Sequence, residues 1–211
     1  MLIKSILLIC ISVCCLTGEE GLKYPHGWAE LQSDTGWEVV SENEKVKVYA
    51  KTLSVSPLNA FKAELKTRVD RDKLVETAWL VEESTTIFPD AFISEAGVFQ
   101  HISATRYLAY QVIDIPILDP RLYRFNSHLQ DSTIHWVAAD FEFVEEEKKE
   151  MIIPNVNFGS WDIVSGGEEN TVIYRVCTDP GGSVPSWIVE KANQRYLPQM
   201  MLDLESFAEK R

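Results

Sequence analysis

Beyond its first fifteen residues the chain has one cysteine, Cys177, because Cys10, Cys14 and Cys15 all lie near the start. A lone thiol makes no intrachain disulfide, so stability has to come from burial. Positive charge is also scarce: 20 Lys and Arg stand against 32 Asp and Glu, a net charge of −12. Nucleic-acid binders need clustered cations to displace counterions from phosphate, and this balance argues against one. It argues equally against electrostatic docking on anionic lipid, which leaves transient apolar contact as the expected mode of membrane association. Reactive motifs are missing too. The histidines His26, His101, His128 and His135 form no His-x-His and no His-Glu-x-x-His, and there is no Gly-x-Ser-x-Gly elbow or glycine-rich phosphate loop. No catalytic residue, metal or cofactor is therefore expected. His128 and His135 can approach across adjacent strands, where a surface or hydrogen-bonded pair is favoured over a metal site. Cys177 follows Val176 in an apolar strand and reads as a buried, inert thiol.

What is present fits a single exported domain. With 211 residues, 45% hydrophobic and 25% charged, the chain can bury one substantial core. "MLIKSILLICISVCCLTGEE" has an N-terminal amine, Lys4 and an apolar run to about Leu16, the pattern of a secretory signal. Residues 1–18 are read as that signal, cut between Cys15 and Gly18, with lipid attachment at Cys14 or Cys15 as the alternative. The expected location is periplasmic or secreted. Residues 19–35 form a lead-in, with Trp28 and Leu31 in a short helix, and residues 36–211 form the domain. No repeat or linker divides it.

Hydrophobic period then assigns the elements. "VKVYAK" and "FKAELKTRV" alternate, with Phe61, Ala63, Leu65, Thr67 and Val69 on one face and Lys62, Glu64, Lys66 and Arg68 on the other. Period two predicts a sheet with one buried and one wet face. Asp70 is suited to cap a helix, with Val69 and Leu74 as a hydrophobic staple and Leu74, Val75, Ala78 and Trp79 as the buried stripe. Strands resume in "TRYLAYQVIDI", "RLYRFNSHL", "TIHWVAADFEF", "FGSWDIV" and "TVIYRVCT", the last two joined through Ser165-Gly166-Gly167. The run Glu145–Glu150 reads as a solvated strand end or loop. A final helix, capped at Ser183 with Pro185 in its first turn, runs to the end. At 1.5 Å per residue its roughly 25 residues span about 38 Å, enough to cross a small domain. Pro198 removes the amide that would bond Gln194 and weakens the helix there. Segregated antiparallel strands with few helices make an α+β domain.

Several stretches resemble the StAR-related lipid transfer (START) family: "GSW" at Gly159–Trp161, "TVIYRV" at Thr171–Val176, "DPGGSVPSWIVEKA" from Asp179 to Ala192, and "DIPILDPRLYRF" from Asp114 to Phe125. The resemblance covers about residues 36–211. It implies a helix-grip fold, a curved antiparallel sheet wrapped around the long C-terminal helix, with a tunnel that holds one lipid or other hydrophobic small molecule in a monomeric, non-enzymatic protein. The candidate tunnel residues are Trp79, Tyr110, Phe125, Trp136, Trp187, Ile188, Met200 and Met201, with Arg121 as a head-group anchor. Each has a plainer alternative: the aromatics and methionines as ordinary core, and Arg121 as a surface bridge to Asp119. Two rival functions stay open. One is a hydrolase or cyclase of the same fold, which a buried pair such as Asp114 with His101 would favour. The other is an interaction module whose tunnel is filled by its own side chains.

Overall fold

The computed structural model describes residues 22–211 except 117 and 183, so the expected signal at 1–18 and the expected Ser183 cap lie outside the described residues. Among these, nine strands form one antiparallel sheet in the order β1-β2-β3-β9-β8-β7-β6-β5-β4. Their ranges are β1 Glu38–Glu42, β2 Val46–Thr52, β3 Asn59–Thr67, β4 Ile93–Ser103, β5 Arg106–Ile113, β6 Arg121–Gln130, β7 Thr133–Ala138, β8 Val156–Ser165 and β9 Asn170–Asp179. Consecutive strands are neighbours except at one seam, where β3 pairs with β9 and sets Phe61 opposite Val176. The α+β helix-grip architecture is what the structure adopts: α2 (Arg71–Trp79) and α5 (Ser186–Lys210) pack on the inner face of the sheet.

Local chemistry accounts for the helix positions. The Asp70 carboxylate accepts from the backbone N–H of Asp72 and Lys73, which satisfies two of the free donors that open α2. Val69 and Leu74 both enter the main core. Gly181 and Gly182 take φ of +70° and +67°, a left-handed pair that turns the chain from β9 toward α5. That helix starts at Ser186, with Pro185 in the cap position and not inside the first turn, since its extended ψ of 137° stops the helix from starting earlier. It then continues unbroken through Pro198 to Lys210.

The core is split by the sheet. The main cluster lies on the inner face and joins Val46, Val48, Phe61, Leu65, Leu74 and Val172 to Leu197, Met201, Leu204 and Ala208 of α5. A smaller one lies on the outer face, where α1 (Trp28–Gln32) lays Leu31 against Leu53, Ala60, Phe158 and Cys177. The outer face of β3 is thus not simply wet. Ala60 is fully buried and Lys62 only 7% exposed, its Nζ 2.6 Å from Glu64 and 4.2 Å from the centre of the Tyr49 ring. The lysine stem covers apolar surface while its head keeps a carboxylate and a ring face.

Other departures from the sequence pattern have local causes. The eleven residues of β4 carry three register shifts against β5, and these bulges break the alternation that marks a strand. The strand that begins at Thr133 ends at Ala138. Beyond it Phe141 and Phe143 fold back over the outer face, where Phe141 stacks on Phe99 at 4.4 Å. Within the acidic run, Glu146–Lys149 forms a single helical turn, α4, with Lys148 bonded to Glu95 at 2.8 Å. A 3-10 turn (Val81–Glu83) and α3 (Ser84–Ile87) also follow α2. Leu204 is wholly buried where α5 meets the main core. Leu204→Ala should lower unfolding free energy by about 2–5 kcal/mol, read from the denaturation midpoint at unchanged m-value.

Candidate functional site: an internal cavity

Alternation along the strands decides which side chains face inward. On β6 these are Arg121, Tyr123, Phe125 and Ser127; on β8 and β9 they include Asn157, Trp161, Tyr174, Val176 and Thr178. Between this surface and the first half of α5 lies a cavity of about 540 Å³. That volume falls within the ~300–1,000 Å³ typical of small-molecule sites. Its walls are mostly apolar. One wall is a row of rings: Trp136 stacks on Tyr174 at 5.5 Å, Tyr174 meets Trp161 at 4.4 Å, and Trp161 lies parallel to Phe88 at 6.3 Å. Tyr174 lies deep in the fold yet keeps accessible surface, because that surface faces the hollow.

Gly159 explains the position of Trp136. The two are cross-strand partners, and a Cβ at 159 would stand 2.3 Å from the Trp136 ring and 2.2 Å from the Arg175 carbonyl oxygen. Only a glycine lets the indole lie flat against β8 and serve as wall.

One end of the cavity is polar. Arg121 is 3% exposed; its Nη1 donates to the Asp119 carbonyl and its Nε has no partner. The Tyr123 hydroxyl is close to Thr178, but no well-formed bond links them and Thr178 Oγ1 stays unpartnered. Burial raises the pKa of Tyr123 and of Tyr174, so both remain protonated donors.

Six of the nine residues singled out from the sequence line the cavity: Arg121, Phe125, Trp136, Trp187, Ile188 and Met200. The other three lie elsewhere. Tyr110 is on the outer face, one residue out of step with Tyr107 and Gln111, where its hydroxyl donates to Glu95 at 2.7 Å and its ring abuts Phe143. Trp79 packs on Tyr107 at 4.1 Å, with its carbonyl bonded to that hydroxyl, so Ala78 and Leu80 form the wall in its place. Met201 is fully buried in the main core, about 100° around the helix from Met200. Sequence reading also missed Tyr107, Tyr123, Tyr174, Trp161 and Asn157. The alternation in "RLYRF" was the signal for Tyr123, which shares a face with Arg121 and Phe125.

The pair named for an enzymatic role, Asp114 with His101, is not brought together. His101 pairs with Tyr107, whereas the Asp114 amide bonds Phe92 at the far end of the ladder, seven residues or roughly 23 Å along β5. His128 and His135 do stand opposite each other on β6 and β7, but on the outer face, where Tyr24 lies 2.7 Å from His135 Nδ1. Cys177 is also on the outer side, wholly buried, its thiol pushed up to about 12 by desolvation.

No family model matches the chain. An uncharacterized protein of Pseudomonas aeruginosa is 26% identical over 181 residues, 83% of this chain and 88% of that protein. Among solved structures, the STAR-related lipid transfer protein of Xanthomonas axonopodis superposes with a TM-score of 0.70 at 20% identity, covering 82% of this chain and 99% of its own. Human STARD10 gives 0.73 at 18% identity, covering 92% and 83%. The fold is START-like. More distantly, the Zhui aromatase/cyclase of Streptomyces sp. R1128 matches this START-like fold at 0.52 and 10% identity, covering 72% and 94%.

Two outcomes test this geometry. Gly159→Ala should displace Trp136 and cost about 1–3 kcal/mol of stability, seen as a lower melting temperature and a changed tryptophan spectrum. Iodoacetamide at pH 8 should leave the Cys177 peptide unmodified in native protein and alkylate it in denaturant, as mass mapping would record.

Proposed function

We propose that the protein binds one hydrophobic, lipid-sized molecule in this cavity and carries or presents it without covalent chemistry. The observation that carries the reading is an unfilled apolar hollow of about 540 Å³ inside a domain whose other interior surfaces pack closely. Interiors are normally filled to crystal-like density, and an empty apolar cavity favours an apolar guest. At about 0.8 kcal/mol per buried methylene, a chain of ~14 carbons supplies roughly 11 kcal/mol before ordering costs.

Helix α5 supplies the roof. Ile188, Ala192 and Met200 face the cavity, with Val184 just ahead of the helix; Leu197 borders both cavity and core, and Met201, Leu204 and Ala208 anchor the other half in the core. Pro198 sits at the changeover, where a hydrogen bond is missing and the first half can lift for entry and exit. The leader at residues 1–18 suits a carrier that works outside the cytoplasm, in the periplasm or beyond.

Turnover of a hydrophobic substrate is the second reading, favoured by the likeness to an aromatase/cyclase. Against it, the cavity wall among the described residues includes no His, Cys, Asp or Glu, and burial holds Tyr107, Tyr123 and Tyr174 protonated. No imidazole, thiol or carboxylate of the described residues is therefore placed there to act as a general base.

Native mass spectrometry of the purified protein should find one co-purifying or added lipid per chain, unchanged in mass after incubation. Recovery of an altered lipid would favour turnover, and failure to load any lipid would end the binding reading. Ala192→Trp should cut uptake of a fluorescent fatty acid at least tenfold with circular dichroism unchanged. Met201→Trp, at a fully buried core position, should instead lower the melting temperature.

A further inference from the structure

We infer that the cavity selects an amphiphile with one terminal oxyanion, a carboxylate or a phosphate, and seats that group against Arg121. This rests on the reading above that the cavity holds a lipid-sized guest. Two independent observations carry it. The first is a buried charge without a counter-charge. Arg121 is 3% exposed, its only hydrogen bond is from Nη1 to the Asp119 carbonyl, and no carboxylate among the described residues pairs with it. Elsewhere in the molecule the buried Arg175 is held by Asp162 at 2.6 Å, and Lys62 by Glu64 at 2.6 Å. A desolvated guanidinium is costly unless an anion completes it.

The second observation is the sign of the cavity wall. The chain has 32 acidic and 20 basic residues, yet among the described residues no Asp or Glu lines the cavity, while Arg121, Lys191 and Arg195 do. Lys191 and Arg195 are exposed at the rim on α5. The hollow is therefore positive inside a strongly negative protein, and a cleft lined by one sign of charge draws in the other.

The groups around Arg121 complete an oxyanion seat. Tyr123 offers a protonated hydroxyl, Thr178 an unpartnered one, and the buried Asn157 an amide, all on the cavity wall. A Cβ at Gly182 would stand 3.5 Å from Arg121 Nη2, so the turn leading into α5 closes over the guanidinium. With Nη1 on the Asp119 carbonyl and Nε unpartnered, the Nε–Nη2 edge of the guanidinium fits two oxygens of a carboxylate or phosphate. The aromatic row and the α5 roof then take the apolar body.

The test uses the full protein and four probes by isothermal titration below their micelle concentrations: palmitate, one-chain palmitoyl lysophosphatidate, monopalmitoylglycerol and inorganic phosphate. Palmitate or lysophosphatidate should bind at least about tenfold more tightly than the uncharged glyceride. Whichever of the two binds better names the oxyanion. Arg121→Gln should weaken the anionic ligand about tenfold and bring it level with the glyceride, while Arg121→Lys should restore part of the gap. Equal affinity of wild-type protein for charged and uncharged ligands would overturn the inference and leave the lipid reading standing. Binding of none of the three amphiphiles would remove the lipid reading itself. Inorganic phosphate binding as tightly as lysophosphatidate would also overturn it, since the site would then hold a free anion. The wild-type comparison needs no variant to fold.

Discussion

Leu197, Met201, Leu204 and Ala208 pack one stripe of α5 into the cluster built from β2, β3 and α2. That contact fixes where the other half of the helix must lie. Held at one end, the first half projects across the inner face at a height its own side chains do not fill. Residues on both sides of the gap are therefore under two demands at once. They must be apolar enough to sit inside a protein, and they must not meet. The row Trp136, Tyr174, Trp161 and Phe88 satisfies both through ring-to-ring contact along the wall, which rigidifies it without closing the space.

Charge follows the same division. The outside of the molecule carries a set of paired cations, whereas the cavity holds one buried guanidinium with which no carboxylate of the described residues pairs. In a core selected for stability alone, an apolar residue of similar volume would serve better at position 121. The buried arginine at the head of β6 is thus explained more readily by what enters the cavity than by what holds the fold together.

Much of this was legible in the sequence, and the omissions have physical reasons. Asp70 with Leu74, the glycine-rich hairpin after β8 and the long C-terminal helix rest on local chemistry, and local chemistry is readable one segment at a time. The β4 strand was not, because its bulges destroy the period. The buried state of Lys62 was not, because it depends on Trp37 and on a helix from the lead-in. At the site, phase was the difficulty. Tyr110 and Tyr107 belong to the same strand, and only the pairing with β4 and β6 shows which one faces in. Met200 and Met201 pose the same question on a helix, where one step carries a side chain from the roof of the hollow into the core.

The seam between β3 and β9 joins segments more than a hundred positions apart, with Phe61 opposite Val176. During synthesis the β2–β3 hairpin emerges more than a hundred residues before its partners on β9 and α5. The free edge of β3 and the inner face of that hairpin must therefore wait for β9 and α5, and closure of such distant segments is slow. Sealing the β3 edge and roofing the inner face are therefore late events in the folding of this domain.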